Sequence, residues 1–289
     1  MGHEPTPTTG NESADQEDGG AGDETEAATK PAPTILRQEI MVGTEQLGRT
    51  APGLFLSAVS AGLDIGFGPL LVVAVLGATP DDTLATRLAT AVVYSIGFVI
   101  VILGRSELFT EHTTLAVLPL LSGDASVRQV ARLWALVYAG NLLGVAVFAS
   151  LAAPLGTGLG LFDASHVDRM TDTLLEGGWL LIAGGGIAAG WLMGLVSWLV
   201  TAARDTIGQI VIIVLVTGSI AFLGLHHSIA GSVEVLIGVL SAGTSLGEWA
   251  RFLVGATIGN AIGGIVLVAA LKYGHIVQLR PHAQRQGSN

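Results

Sequence analysis

Two polar interruptions, Ser106-Glu107-Leu108-Phe109-Thr110-Glu111-His112 and Gly224-Leu225-His226-His227-Ser228-Ile229-Ala230-Gly231, sit inside sequence otherwise apolar enough to cross a lipid bilayer. In hydrocarbon an unsatisfied backbone group costs several kcal/mol, so a helix broken at membrane depth persists only inside protein or along a water-filled path. Ionisable side chains at such a break carry the same implication, because they are costly in lipid and mark routes for ions or substrates. Two broken spans at corresponding places therefore predict a pore or a carrier.

The composition agrees. Of 289 residues, 50% are hydrophobic and only 12% charged, a balance outside the range of soluble globular proteins and expected of a polytopic membrane protein in contact with lipid. The 40 glycines are about twice the usual share of roughly 7% and suit helices that approach closely where lipid offers no hydrophobic drive for association. Gly186, Gly190 and Gly194 form one such stripe. There is no cysteine, which excludes disulfides, thiolate catalysis and cysteine-ligated metals.

Residues 1–30 hold eight acids against Lys30 alone, so −7 of the formal net charge of −10 belongs to that segment. It is rich in Gly, Thr and Pro, lacks apolar periodicity and has no signal-peptide core, which predicts a disordered acidic tail over residues 1–34. An amphipathic interfacial helix is expected over residues 35–51, where Leu36, Ile40 and Leu47 recur at helical spacing. A channel domain over 52–273 and a C-terminal tail over 274–289 complete the organisation.

Six long apolar segments run from about Pro52 to Ala78, Leu84 to Leu121, Val127 to Ala153, Gly177 to Ala203, Asp205 to Leu240 and Leu246 to Tyr273. A span needs roughly 20 residues. The second and fifth segments far exceed that and contain the interruptions, so each reads as two half-helices joined by a loop. Gly140-Asn141-Leu142-Leu143-Gly144 in the third recurs as Gly259-Asn260-Ala261-Ile262-Gly263 in the sixth, an offset of 260 − 141 = 119, while Thr110 and His227 are 227 − 110 = 117 apart. The expected fold is therefore all-α, six membrane helices with two broken, in two three-helix units. An odd number of spans per unit inverts one unit against the other and puts the site at their interface.

Lys and Arg placement sets orientation. Nine of these residues (Lys30, Arg37, Arg49, Arg128, Arg132, Arg204, Lys272, Arg280 and Arg285) fall on one side, and Arg87, Arg169 and Arg251 on the other, which predicts cytoplasmic N- and C-termini in a plasma membrane.

His227 is the leading site candidate, since an imidazole in a broken span can change charge near neutral pH. A packing histidine satisfied by one carbonyl is the competing role. His226 would point elsewhere on a helix. Thr110 has one hydroxyl to offer a small anion or the ring of His227, or it caps the following half-helix. Asn141 and Asn260 either hold the break loops or line the pore. Glu107, Glu111, His112 and the two histidines match no defined ligand spacing, so no metal is expected. Arg105 and Glu107 read as an ion pair or as charges at a mouth.

At these motifs the chain resembles the formate/nitrite transporter family. That family carries an acidic-Leu-Phe-Thr loop in its second helix, Gly-Phe-Glu-His-Ser in its fifth, and Gly-Asn-x-x-Gly in its third and sixth. Here they read Glu107 to Thr110, Gly224 to Ser228, Gly140 to Gly144 and Gly259 to Gly263. The resemblance covers about Pro52 to Tyr273 and implies an aquaporin-like fold, a pore in each protomer and a homopentamer. It makes His227 the central histidine, Thr110 the loop threonine and Asn260 the sixth-helix asparagine. The family's basic residue in the third helix falls on Arg132, in Ala131-Arg132-Leu133-Trp134, and the apolar constriction on Phe98 and Ile220. Departures from the family's pattern place His226 where it has Glu, Gly231 where it has Asn, and Gly190 where it has an Asn in the fourth helix.

The resulting expectation is a channel or transporter for small monovalent weak-acid anions of the formate and nitrite class. Arg132 would raise local anion concentration, Thr110 and half-helix N-termini would orient the anion, and His227 would neutralise it between Phe98 and Ile220, lowering a desolvation cost of several kcal/mol. Asn141 and Asn260 complete the candidate pathway. Two other functions compete: a channel for neutral solutes such as water or glycerol, although paired Asn-Pro-Ala loops are absent, and a non-transporting sensor or scaffold acting through the acidic tail. No nucleophile-base pair, cofactor loop or basic nucleic-acid patch is visible, so an enzyme, a cofactor and a nucleic-acid partner are not expected.

Overall fold

The computed structural model describes residues 29–79 and 82–278. The acidic tail falls outside the described residues up to residue 28, as does the C-terminal tail from residue 279 onward. The described residues fold as α1 (Ala32–Gly48), α2 (Ala51–Asp64), α3 (Phe67–Ala78), α4 (Leu84–Leu103), α5 (Phe109–Leu115), α6 (Val117–Ser122), α7 (Val127–Gly158), α8 (Ala164–Leu175), α9 (Trp179–Ala202), α10 (Thr206–Phe222), α11 (Ser228–Ser241), α12 (Leu246–Ile262), a π-helical stretch at Gly263–Ala270 and α13 (Leu271–Gln278). No strand occurs among the described residues.

Among the described residues, five helical stretches are long and apolar enough to cross a membrane: Ala51–Ala78, Leu84–Leu103, Val127–Gly158, Trp179–Ala202 and Leu246–Gln278. Thr206–Phe222 and Ser228–Ser241 are shorter apolar helices. Polar caps start many of these helices. Ser126 with Gln129 and Ser245 with Glu248 form capping boxes at α7 and α12, and Thr50, Thr83 and Asp205 cap α2, α4 and α10. Each cap satisfies a backbone N–H that has no partner within its helix.

The second and fifth segments break where the polar residues interrupt them. α4 ends at Leu103 and α5 begins at Phe109, while α10 ends at Phe222 and α11 begins at Ser228. Both boundaries are displaced by 119 residues (222 − 103 and 228 − 109), the same register as Asn141 and Asn260. Each loop turns on one left-handed residue, Arg105 at φ 59° and Gly224 at φ 63°, again 119 apart. A side chain in that region is strained and glycine is not, so the first loop tolerates what the second avoids. In this register the equivalent of His227 is Leu108, and these two residues hold the N-cap positions of α11 and α5. The 117-residue spacing of Thr110 and His227 is instead a contact across the halves.

Residues related by the same offset also meet. Tyr138 Oη lies 2.8 Å from Thr257 Oγ1, and Ser95 Oγ donates to the Val214 carbonyl at 3.2 Å. Such self-equivalent contacts occur only along a pseudo-two-fold axis, which makes the halves an inverted pair around a common centre.

Three features differ from the sequence reading. α1 starts at Ala32, because Pro31 and Pro33 preset its first turn. α8 lies in what reads as a loop. Its signals are Asp163 with His166 as a capping box and Val167, Met170, Thr171 and Leu174 buried on one face, and the polar and charged residues on its other faces obscure them. The last span widens into a π-helix at Gly263–Ala270, where Gly263 and Gly264 press against the Ile187 carbonyl and the Thr113 side chain; such irregular turns are frequent at functional sites.

Candidate substrate pathway

The break loops are held from outside their own helices. The first free N–H of α5, on Phe109, donates to Asn141 Oδ1 at 2.8 Å, and Asn141 Nδ2 donates to the Ala58 and Glu107 carbonyls at 2.8 and 2.9 Å. In the other half Ser228 N–H donates to Asn260 Oδ1 at 2.8 Å, and Asn260 Nδ2 donates to the Gly186 and His226 carbonyls at 2.8 and 2.9 Å. Both asparagines are fully buried. A short polar side chain can reach a loop from a neighbouring helix only if the backbones nearly touch. That closeness is real: a Cβ on Gly62 would lie 2.3 Å from the Asn141 carbonyl oxygen, and one on Gly190 would lie 2.2 Å from that of Asn260.

Between the loops, Thr110 Oγ1 and His227 Nε2 are 2.8 Å apart and both residues have no exposed surface. His227 Nδ1 accepts the Ala230 N–H at 3.1 Å, so the side chain caps α11. A neutral imidazole has one donor and one acceptor nitrogen. With Nδ1 accepting, the hydrogen sits on Nε2 and is donated to Thr110, which leaves the hydroxyl hydrogen of Thr110 available to a third group. The Phe98 ring stands edge-on to the imidazole, centroids 5.0 Å apart at 86°. Ile220 is fully buried in the same apolar cluster.

Cavities open on opposite sides of this seal. The larger, about 540 Å³, is lined by Thr90 and Tyr94 of α4, Phe222 of α10, the second break loop and Glu234 of α11. The smaller, about 270 Å³, is lined by Ile102 and Leu103 of α4, Gln209 of α10, the first break loop and Leu115 of α5. Along α4, Tyr94 faces one cavity and Ile102 the other, with Phe98 midway; eight residues of helix span about 12 Å, which is the depth of the closed section. The cavities are themselves repeat partners, since Thr90 and Gln209, Leu103 and Phe222, Arg105 and Gly224, and Leu115 and Glu234 are each 119 apart and line opposite ones.

Not every candidate enters this line. Arg132 is on α7, exposed, and donates from Nη2 to the Arg49 carbonyl at 3.0 Å; it lines neither cavity. Glu107 pairs with Arg49 rather than with Arg105, and its other oxygen meets His112 Nε2. Nothing local in the sequence signals the Arg49 partnership, because 58 residues separate the two. Trp134 Nε1 donates to the His112 carbonyl at 3.0 Å, so α7, the α1–α2 junction, the first loop and α5 form one circuit. His226 turns away from the seal toward Gly185 and Phe252.

The family model for formate/nitrite transporters matches residues 34–274. The chain belongs to the formate/nitrite transporter family. This formate/nitrite transporter homologue is 32% identical over 251 residues to the inner membrane protein YfdC of Escherichia coli (strain K12), covering 83% of this chain and 76% of that one. Its fold is similar to that of an FNT family ion channel, with a TM-score of 0.77 and 21% identity over 86% of this chain and 100% of the other. It is also similar to a pentameric formate channel with formate bound, with a TM-score of 0.68 and 23% identity over 80% and 98%. As a member of a family of channels and transporters, it is a multi-pass membrane protein.

Proposed function

We propose that this protein conducts small monovalent weak-acid anions of the formate and nitrite class, with His227 and Thr110 as the pair that meets the anion. The observation that carries this reading is the fully buried Thr110–His227 hydrogen bond, set edge-on to Phe98 in the apolar cluster between two cavities. A bare carboxylate entering that seal loses water at a cost of several kcal/mol. The Nε2–H of His227, relayed through the Thr110 hydroxyl, offers one hydrogen bond at the point of greatest dehydration, and Phe98 and Ile220 turn back hydrated ions that accept no such bond.

In this reading Asn141 and Asn260 act by positioning: they fix the loops that carry Thr110 and His227. Arg132 contributes positive field near the mouth of the smaller cavity and steadies the α1–α2 junction. The excess of Lys and Arg puts both termini in the cytoplasm, so the smaller cavity faces inward. A homopentamer with one pathway per protomer is proposed from the likeness to the pentameric formate channel.

Uptake of labelled formate into proteoliposomes, set beside stopped-flow swelling with water and glycerol, tests the substrate class. Formate uptake without glycerol permeation is expected. Glycerol permeation without formate uptake would replace the proposal with a neutral-solute channel, and neither flux would favour a sensor or scaffold.

A further inference from the structure

Glu234 is a buried carboxyl, 8% exposed, and lines the larger cavity. No hydrogen bond or ion pair reaches it among the described residues, and its electrostatic neighbour is Tyr94. In the other half its place is taken by Leu115, which lines the smaller cavity. The repeat therefore accepts an apolar residue at this position, and packing does not account for a carboxyl there.

Among the described residues, the other charged and ionisable groups of the cavity are Asp82, Arg87 and Tyr94 on or beside α4, and Arg169 and Asp172 on α8; the lining parts of α3 and the second break loop bring none, and α7 and α12 contribute nothing to the lining. Arg87 is committed to the Phe222 carbonyl at 3.1 Å and to the Phe222 ring, and Arg169 to the Leu76 and Thr79 carbonyls. Neither arginine neutralises Glu234. A fixed negative charge on the approach to an anion pathway opposes the anion, whereas a carboxyl that gives up a proton to it does not.

We propose that Glu234 is the proton-exchange group of the larger cavity, through which the substrate enters or leaves the seal as its neutral acid. The step balances without another reactant: the Glu234 O–H bond breaks as an O–H bond forms on the anion, the neutral acid moves on, and hydronium in the cavity returns a proton to the carboxylate. His227 is poorly placed to be that source, since Nδ1 holds the Ala230 N–H and the hydrogen on Nε2 is directed to Thr110. This inference rests on the weak-acid reading above and gives Glu234 a part in it that Leu115 has no means of playing in the smaller cavity.

The test is labelled formate uptake into proteoliposomes across about pH 5 to 8 for the full chain, Glu234→Gln and Glu234→Leu, the last copying Leu115. Proton exchange by Glu234 makes both variants fall at the alkaline end by on the order of tenfold or more, as for loss of a positioned acid–base group, and approach the parent at the acid end, where bulk protons supply the neutral acid. A pH profile unchanged in either folded variant overturns the proposal, as does an equal loss at every pH, which marks a structural role. Absence of formate uptake by the parent chain itself rejects the weak-acid reading instead.

Discussion

Thr110 and His227 are 117 residues apart in the chain, lie on opposite halves of the inverted repeat, and have side chains 2.8 Å apart. Their contact is not a repeat pair. The repeat sets Leu108 opposite His227, so an apolar residue that makes no capping hydrogen bond holds one N-cap position and a capping imidazole the other. The polar pair at the centre of the seal is thus made by breaking the symmetry that builds the two loops.

Thr110→Val keeps the shape of residue 110 and removes its oxygen. The Nε2–H of His227 then lacks an acceptor, a loss of about 1–3 kcal/mol. If the hydroxyl also meets the anion, formate uptake falls by roughly ten- to a hundredfold, the rate equivalent of that energy, while the detergent-solubilised protein keeps its oligomeric state. Size-exclusion chromatography beside flux measurements checks both parts, and unaltered uptake counts against the relay.

Asn141→Ala and Asn260→Ala each remove three hydrogen bonds, two to a break loop and its half-helix and one to a carbonyl of a neighbouring helix. At about 1 kcal/mol or more for each of the two orphaned loop groups, each variant is expected to lose roughly 2 kcal/mol or more and to unfold at clearly lower temperature in detergent. The repeat makes the two losses similar. A marked drop for one with none for the other would show that the loops are not held alike.

Gly190→Ala inserts a methyl where the Asn260 carbonyl lies 2.2 Å away, and Gly62→Ala does so 2.3 Å from the Asn141 carbonyl. Backbone cannot yield as a flexible side chain does, so α9 must shift from α12, or α2 from α7, at about 1–3 kcal/mol for overpacking. Thermal unfolding should register both substitutions. Gly158→Ala, whose Cβ meets nothing within 4 Å, serves as the neutral control.

α1 is tied to α9 through Glu39, 2% exposed, which accepts hydrogen bonds from Ser197 Oγ at 2.9 Å and from Thr201 Oγ1. Burial raises the Glu39 carboxyl above its ordinary 4.5, against the lowering effect of the two hydroxyls. A carboxyl that binds its proton more tightly docked than free favours docking in acid; the benefit is complete below the free value and is lost as pH rises through the docked one. Because the chain has no native cysteine, spin labels on introduced cysteines at exposed Met41 and Leu199 can follow this directly. Their separation should broaden with rising pH, and Glu39→Gln should flatten the change.

Much of this arrangement is legible in the sequence because membrane segments and broken helices are written locally. The interruptions at residues 106–112 and 224–231 mark the breaks, and the recurrence around Asn141 and Asn260 marks the repeat. The exact register is not local: pairing Thr110 with His227 by residue type yields 117, whereas the hydrogen bonds at Phe109 and Ser228 yield 119. α8 escapes a search for apolar segments because only one of its faces is buried. The partnership of Arg49 with Glu107, and the place of Glu234 in the wall of a cavity, depend on tertiary proximity that spacing along the chain does not encode.

The most direct test is labelled formate flux through His227→Asn in proteoliposomes across the same pH range. With His227 at the seal, formate flux is abolished at every pH or becomes an unselective leak. Flux and pH dependence identical to those of the parent protein would contradict a role for that imidazole in the pathway.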